Sequence, residues 1–373
     1  MGTPLRQDAA VPGIWTRFGG AVINLKGLSM KISVDAATRL CHTVFAEMDT
    51  PEHILAVTTE ALIEADLRGI ASHGIRLLPL YLDLKAGERI VPEVEPEVVF
   101  DTPTTTVFDA RMGMGHYASM VATERVIDRA QSHGMAAAVV RCNNHNGAIS
   151  HFAIRAARSD LIGLAATSCA PRVTPYGGKT GVHGTNPIAY AVPVGQADPL
   201  VFDFSTGYSG AKLKAEADRL GYLPEGYVLS AAGQPSTDPE DLFNGLILPV
   251  AGPIGYGLGL LVDALCGGLA DSPIGQQVPP VTVRTGPYHG TFFVMALAPA
   301  AFGGSEAFAH RLEALVEQID ACEPLDSDQP VRWPGQRGWE LRRQRLADGI
   351  PIDDADWERL LADLKDRDVS PQL

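Results

Sequence analysis

The chain has 373 residues, 46% of them apolar and 20% charged, with 30 Lys and Arg against 44 Asp and Glu and a formal charge of −14. This is a globular composition, long enough for two or three structural units and a core that needs neither disulfides nor metal. The acidic balance excludes the basic footprint of a nucleic-acid binder. No run approaches the ~20 apolar residues that cross a bilayer, and Gly252–Asp271, the nearest, is Gly-rich and reads as a buried helix. Cys41, Cys142, Cys169, Cys266 and Cys322 form no CxxC and read as reduced thiols of a cytoplasmic protein.

The chain opens on a segment, residues 1–29, in which Arg6, Arg17 and Lys26 outweigh Asp8, so the acidity lies in the remainder. Val11–Leu28 is too broken by Gly, Pro and Arg for a secretory signal. An extension ahead of a folded pattern opening at Met30 is the expectation. Ser33 predicts the cap of a helix over Val34–Met48, and Thr50-Pro51 the start of a second running to about Arg68. Leu77–Lys85 reads as a third helix, stopped at Gly87. Pro92–Pro103, rich in Pro and Glu, reads as a crossing segment.

Alternation follows. Thr105–Asp109, Met135–Arg141, Leu161–Thr167, Ile188–Val192, Leu200–Phe204 and Phe292–Leu297 read as strands. His116–Ser132, Gly147–Arg158, Leu213–Leu220, Gly252–Leu269 and Ser305–Ile319 read as helices. That pattern predicts an α/β sheet covered by helices. Glu340–Asp348 and Asp353–Leu364 are charged amphipathic helices expected to pack back on the N-terminal module. The expected organisation is an extension (1–29), a helical subdomain (30–95), an α/β catalytic subdomain (96–325) and C-terminal helices (326–373).

Three polar segments lack an evident structural task. In Ser72-His73-Gly74 a Gly-flanked imidazole can face a cleft, and its pKa near 6.5 suits proton transfer; a surface turn is the alternative. Asn143-Asn144-His145-Asn146 ends an apolar strand and opens a helix, a usual place for an α/β site; an Asn-rich turn with Asn146 as N-cap is the alternative. Thr174–Lys179 and His183-Gly184-Thr185-Asn186-Pro187 form a Gly-rich polar run that lets backbone approach a ligand; a plain connection between strands is the alternative. GxGxxG after a strand, GxxxxGK[ST], GxSxG and HExxH are all missing. His145 and His151 are six apart, which does not align two ligands on a helix face, so no metal site is expected.

Taken in order, these segments resemble the type 2 malate/L-lactate dehydrogenase family. The resemblance rests on Ala65–Gly69 with Ser72-His73-Gly74, Asn144–Ala148, Gly184–Pro187, Pro224–Tyr227, Ser236–Pro239, Gly252-Pro253 with Gly255-Tyr256-Gly257, and Trp333-Pro334-Gly335. It runs from Met30 to about Asp368. It implies a non-Rossmann fold of the L-sulfolactate dehydrogenase type, with a helical subdomain from both chain ends beside an α/β sheet subdomain. It also implies a homodimer, NAD or NADP as cofactor, and a small 2-oxo or 2-hydroxy acid or cyclic imino acid as substrate. By the same resemblance His145 is the general acid/base and His73 a proton donor or orienting residue, supported by Ser72 and Asn144. Arg76, Thr185 and Asn186 are expected at the substrate. Cys169, Asp203, Phe204, Ser205, Lys212, Ile254, Gly255, Trp333, Pro334 and Gly335 are expected at the cofactor. The sequence departs from the family in three places. Leu77 stands where a carboxylate-binding Arg is usual, Ile254 replaces a cation, and Ser205–Lys214 lacks the usual Ala-Thr-Ser-rich run. Those losses motivate a contrasting expectation, a degenerate member that binds a ligand without turnover.

Overall fold

The computed structural model of the protein describes residues 15–18, 21–24, 30–280 and 286–370. Of the expected extension, β1 (Trp15–Phe18) and β2 (Ala21–Asn24) pair as an antiparallel hairpin; the rest of 1–29 lies outside the described residues. β3 (Met30–Ile32) leads into α1 (Val34–Ala46), which the Ser33 hydroxyl caps by accepting from the Ala36 N–H at 3.1 Å. α2 (Glu52–Leu67) starts from Pro51, not from the expected Thr50 cap. The Thr50 N–H instead closes on the Phe45 carbonyl, so this residue finishes the previous turn. Two 3-10 turns, Ala71–His73 and Ile75–Leu77, connect α2 to α3 (Leu78–Ala86).

The strands β4 (Glu97–Asp101), β5 (Thr105–Asp109), β6 (Met135–Asn143), β7 (Ile162–Thr167), β8 (Ile188–Val194) and β9 (Ala197–Phe204) follow. Then come three two-residue strands, β10 (Val228–Leu229), β11 (Pro235–Ser236) and β12 (Leu246–Ile247), and the long β13 (Gly290–Leu297). Seven of these make one sheet in the order β4-β5-β6-β13-β7-β8-β9, with β5 and β6 the parallel pair. Pro92–Pro103, expected as a crossing segment, contains strand β4. All five of its residues are exposed at the sheet edge, so it lacks the burial pattern that marks a strand in sequence.

One face of the sheet packs α4 (Gly115–His133) and α5 (Ser150–Ala157) through Val126, Ile127, Phe152 and Ile154. α6 (Gly210–Leu220) and α7 (Asp241–Asn244) share a small core with β10, of Leu213, Leu223, Val228 and Leu242. The opposite face carries α8 (Pro253–Asp263) and its π-helical continuation Ala264–Gly268. α8 is a correction to the expected buried helix: Ile254, Leu260, Leu261 and Leu269 stand exposed on its outer side. No residue of α9 (Ser305–Asp320) is buried. α10 (Gln336–Asp348) inserts Trp339 into the α4–α5 core, and the Trp339 indole donates to the Pro199 carbonyl at 2.9 Å. β14 (Ile350–Ile352) pairs with β3, and α11 (Asp354–Lys365) completes the helical core around Leu40, Phe45, Leu62 and Tyr81. Among the described residues no helix is long and apolar enough to cross a membrane.

α5 lies directly on β7, where a Cβ on Gly163 would sit 2.5 Å from the Ala153 carbonyl oxygen. Gly163→Val should therefore destabilise the fold by about 2 kcal/mol. An unchanged melting temperature would show that helix and strand can separate freely.

Candidate active site

The site begins with a buried carboxylate. Asp66, in the last turn of α2, accepts the Ile75 N–H at 2.8 Å. A Cβ on Gly74 would lie 2.1 Å from that carboxylate, so only glycine lets the Ser72-His73-Gly74 turn close on it. This presents His73, whose Nδ1 pairs with the Ser72 hydroxyl at 2.9 Å. His145, leaving β6, stacks on His73 with centroids 5.8 Å apart and planes 18° apart. The Nδ1 of His145 pairs with the Tyr81 hydroxyl at 2.8 Å. Asn144 sits beneath them, but its amide donates to the backbone carbonyls of Arg89, Met112 and Gly113. It therefore holds the loop rather than an imidazole, the role expected of it.

Burial lowers the proton affinity of every imidazole here. His145 is pushed down to about 3 by desolvation and then by His73. His73 is lowered by burial and partly restored by Asp203. Burial pushes the Tyr81 phenol up. Around neutral pH the pair is thus two uncharged imidazoles and a phenol, able to accept or give a proton.

Asp203, at the end of β9, joins this pair to the other expected residues. Its carboxylate accepts the Ser150 N–H at 3.1 Å, capping α5, where Asn146 had been expected to serve. The Asn146 amide instead reaches the Ser119 hydroxyl at 3.3 Å inside the core. Next along the chain, the Ser205 hydroxyl donates to the Thr185 carbonyl at 3.1 Å. Cys169 is partly exposed at the end of β7, its thiol raised by burial and therefore neutral. Its N–H donates to Asn186 Oδ1 at 2.9 Å. Asn186 itself is fully buried and donates to the Gly259 carbonyl and to Asp263, each at 2.9 Å. All its polar capacity but one lone pair is used, so it positions the Cys169 loop instead of meeting substrate as expected. The segment Trp333-Pro334-Gly335 runs along the free edge of β9, with the Val201 N–H donating to Pro334 O at 2.8 Å.

Four expected residues lie away from the histidine pair. Arg76 forms an ion pair with Asp356 of α11 at 2.7 Å, because the turn that buries Ile75 throws its neighbour outward. Phe204 packs on the α8 side of the sheet with Phe202, ring centroids 5.0 Å apart. Ile254 is 63% exposed in the first turn of α8, beside a Gly255 that a Cβ would drive into the Thr206 and Val250 carbonyls. Lys212 is exposed in α6 with no carboxylate partner among the described residues. Sequence reasoning gave no role to Tyr81, nor to Asp66 beyond its place in the Ala65–Gly69 segment of the resemblance. Each looks like an ordinary member of an apolar helix, and only the fold brings them to the histidine turn.

Residues 32–361 match the malate/L-lactate dehydrogenase family. The chain belongs to that family. This dehydrogenase is 32% identical over 340 residues to the ureidoglycolate dehydrogenase (NAD(+)) of Escherichia coli O157:H7, which spans 90% of this chain and 96% of that protein. It is also 32% identical over 320 residues to the (2R)-3-sulfolactate dehydrogenase (NADP(+)) of Chromohalobacter salexigens, covering 85% and 93%. Its fold superposes on sulfolactate dehydrogenase from Methanocaldococcus jannaschii with a TM-score of 0.83 at 28% identity, over 91% of this chain and 98% of that one. With delta1-piperideine-2-carboxylate reductase from Pseudomonas syringae the TM-score is 0.80 at 28% identity, over 90% and 100%. The missing GxGxxG is a property of this shared non-Rossmann fold.

Two outcomes follow. Arg76→Ala should change kcat/KM less than about threefold and cost at most about 1 kcal/mol of stability, as a partly exposed ion pair does; a hundredfold rise in substrate KM would return it to the site. Second, His73, His116, His145, His151 and His183 all have lowered proton affinity, whereas Asp66 and Asp263 are raised to about 6. Below about pH 6.5 the unfolded histidines take up protons that the native ones refuse, which weakens the fold, and the two carboxyls offset this only in part. Stability should fall by roughly 2 kcal/mol or more from pH 6.5 to 5.5. A flat denaturation midpoint across that range would contradict the buried, neutral site.

Proposed function

We propose that this dehydrogenase uses NAD or NADP to interconvert a small 2-hydroxy acid with its 2-oxo acid, or a cyclic amino acid with its imine. The observation that carries this reading is the stacked, uncharged His73–His145 pair with Tyr81 behind it. The donor set suits a nicotinamide. A neutral thiol, two neutral imidazoles and the Ser205 hydroxyl present no bare charge to its ring, and Asn144 Oδ1 is buried without a partner beside them. Cys169, Asp203, Ser205 and Trp333–Gly335 would hold the cofactor, with Lys212 available to its phosphates. When bound, the nicotinamide supplies or removes a hydride at the substrate carbon.

His145 then takes the hydroxyl proton in oxidation and returns it to the oxygen or nitrogen in reduction. His73, held by Ser72, hydrogen-bonds the same substrate atom or its neighbour and orients it. Packing of the helical core behind Tyr81 keeps bulk solvent from the phenol. Arg76 is occupied by Asp356, so the substrate carboxylate draws its cation from elsewhere. A homodimer whose sites use both subunits meets that need, and the exposed outer side of α8 and the unburied α9 suit such an interface. The five free thiols, two of them buried, suit a reducing cytoplasm.

Loss of reduced-nicotinamide absorbance should be measured with NADH and NADPH against oxaloacetate, pyruvate and Δ1-piperideine-2-carboxylate. Turnover with one cofactor is expected, and His145→Ala should lower it by about 100-fold or more with cofactor affinity nearly unchanged. A folded protein that binds cofactor but turns over none of these would favour the binding-only reading.

A further inference from the structure

His116, in the first turn of α4, is a fully buried imidazole that the reaction just described does not use. Neither ring nitrogen has a hydrogen-bond partner. Such a group is expensive to bury, and phenylalanine would fill the space without that cost. Yet the surroundings are shaped to it. A Cβ on Gly147 would come within 2.5 Å of His116 Nε2, so glycine at φ +72° makes the room. The ring lies edge-on to Tyr81, centroids 5.7 Å apart, and edge-on to His145 at 6.1 Å. Asn143 Oδ1 and Asn144 Oδ1, on the strand end that carries His145, are likewise buried and unpartnered. Several orphaned polar atoms on neighbouring buried residues are the setting in which a protein holds an internal water.

The Tyr81 hydroxyl pairs with His145 Nδ1. If it donates there, His145 Nε2 carries the proton and cannot act as a base. If it accepts there, Nε2 has its lone pair free, but the phenol proton then needs an acceptor of its own.

Resting on the function proposed above, we infer that His116 is a positioning residue. Through an internal water, its acceptor nitrogen takes the Tyr81 O–H, so that Tyr81 accepts from His145 Nδ1–H and leaves His145 Nε2 as the base. No proton is transferred to His116. The chain of hydrogen bonds selects the tautomer of the imidazole that meets substrate. The titratable groups around His116 are Tyr81 on α3, His145 on the loop after β6, His73 on the turn after α2 and His151 on α5.

The test compares His116→Phe with His116→Asn, whose amide oxygen restores an acceptor. In native protein labelled with 15N at histidine, the His145 resonance, assigned by its loss in His145→Ala, should report the Nδ1–H tautomer. In His116→Phe it should switch to Nε2–H, kcat/KM should fall about tenfold or more in both directions, and the pH profile should move, while the melting temperature holds or rises. His116→Asn should recover most of the tautomer and rate. A native tautomer and unchanged pH profile in a stable His116→Phe would overturn the inference. So would a native His145 in the Nε2–H form. Absence of turnover in the native protein strikes the proposed function instead, and the tautomer readout still decides the role of His116.

Discussion

The hydrogen bond from the Ile75 N–H to the buried Asp66 carboxylate is the tie on which the candidate site hangs. It folds the chain back on the last turn of α2, and the glycine between them must lack a side chain for the turn to close. The Asp66 carbonyl in turn accepts from Arg345 of α10. The histidine turn is thereby held by both ends of the chain. The helical module built from those ends is not an accessory to the sheet: it supplies His73, Ser72 and Tyr81, while the sheet supplies His145 and Asp203.

Closing that joint removes water from the imidazoles, and desolvation becomes the largest influence on their charge. A charged His73 beside a charged His145 at 5.8 Å would repel as well as lose hydration. Both effects favour the neutral pair, which is the state a proton acceptor needs. Asp203 pulls the other way on His73 and so couples the acid/base pair to the strand that leads into the Ser205–Thr185–Cys169 loops. The scaffold costs stability in acid for the same reason that it suits the chemistry.

Much of this was legible in sequence, for identifiable reasons. The strands inside the sheet alternate or run apolar, and the helices have strong periodicity, so their positions agree with the structure to within a few residues. The two histidine turns stood out because glycines and polar residues occur where periodicity stops. Strand β4 did not, because an exposed edge has no buried face to mark it. Thr50 and Asn146 looked like caps by residue type, but Thr50 closes the turn after α1 onto the Phe45 carbonyl, and the distant Asp203 carboxylate caps α5. Arg76 was expected at the substrate because it lies one residue before the position, here Leu77, where the family usually has its Arg; one turn of 3-10 helix points it at Asp356 instead. Tyr81 and His116 carry no local signal, and Asp66 none beyond its place in the Ala65–Gly69 segment, since what distinguishes them is which groups the tertiary fold brings beside them.

The central claim is that the His73–His145 pair serves hydride transfer at the carbon bearing the substrate oxygen or nitrogen. The most direct measurement follows deuterium from cofactor reduced with deuterium at nicotinamide C4 into product formed from oxaloacetate, pyruvate or Δ1-piperideine-2-carboxylate. The account predicts deuterium at C2 of the hydroxy or amino acid, in product that His145→Ala fails to form. Product without deuterium at C2 from either deuterated face of the cofactor, or equal product from His145→Ala, would contradict it.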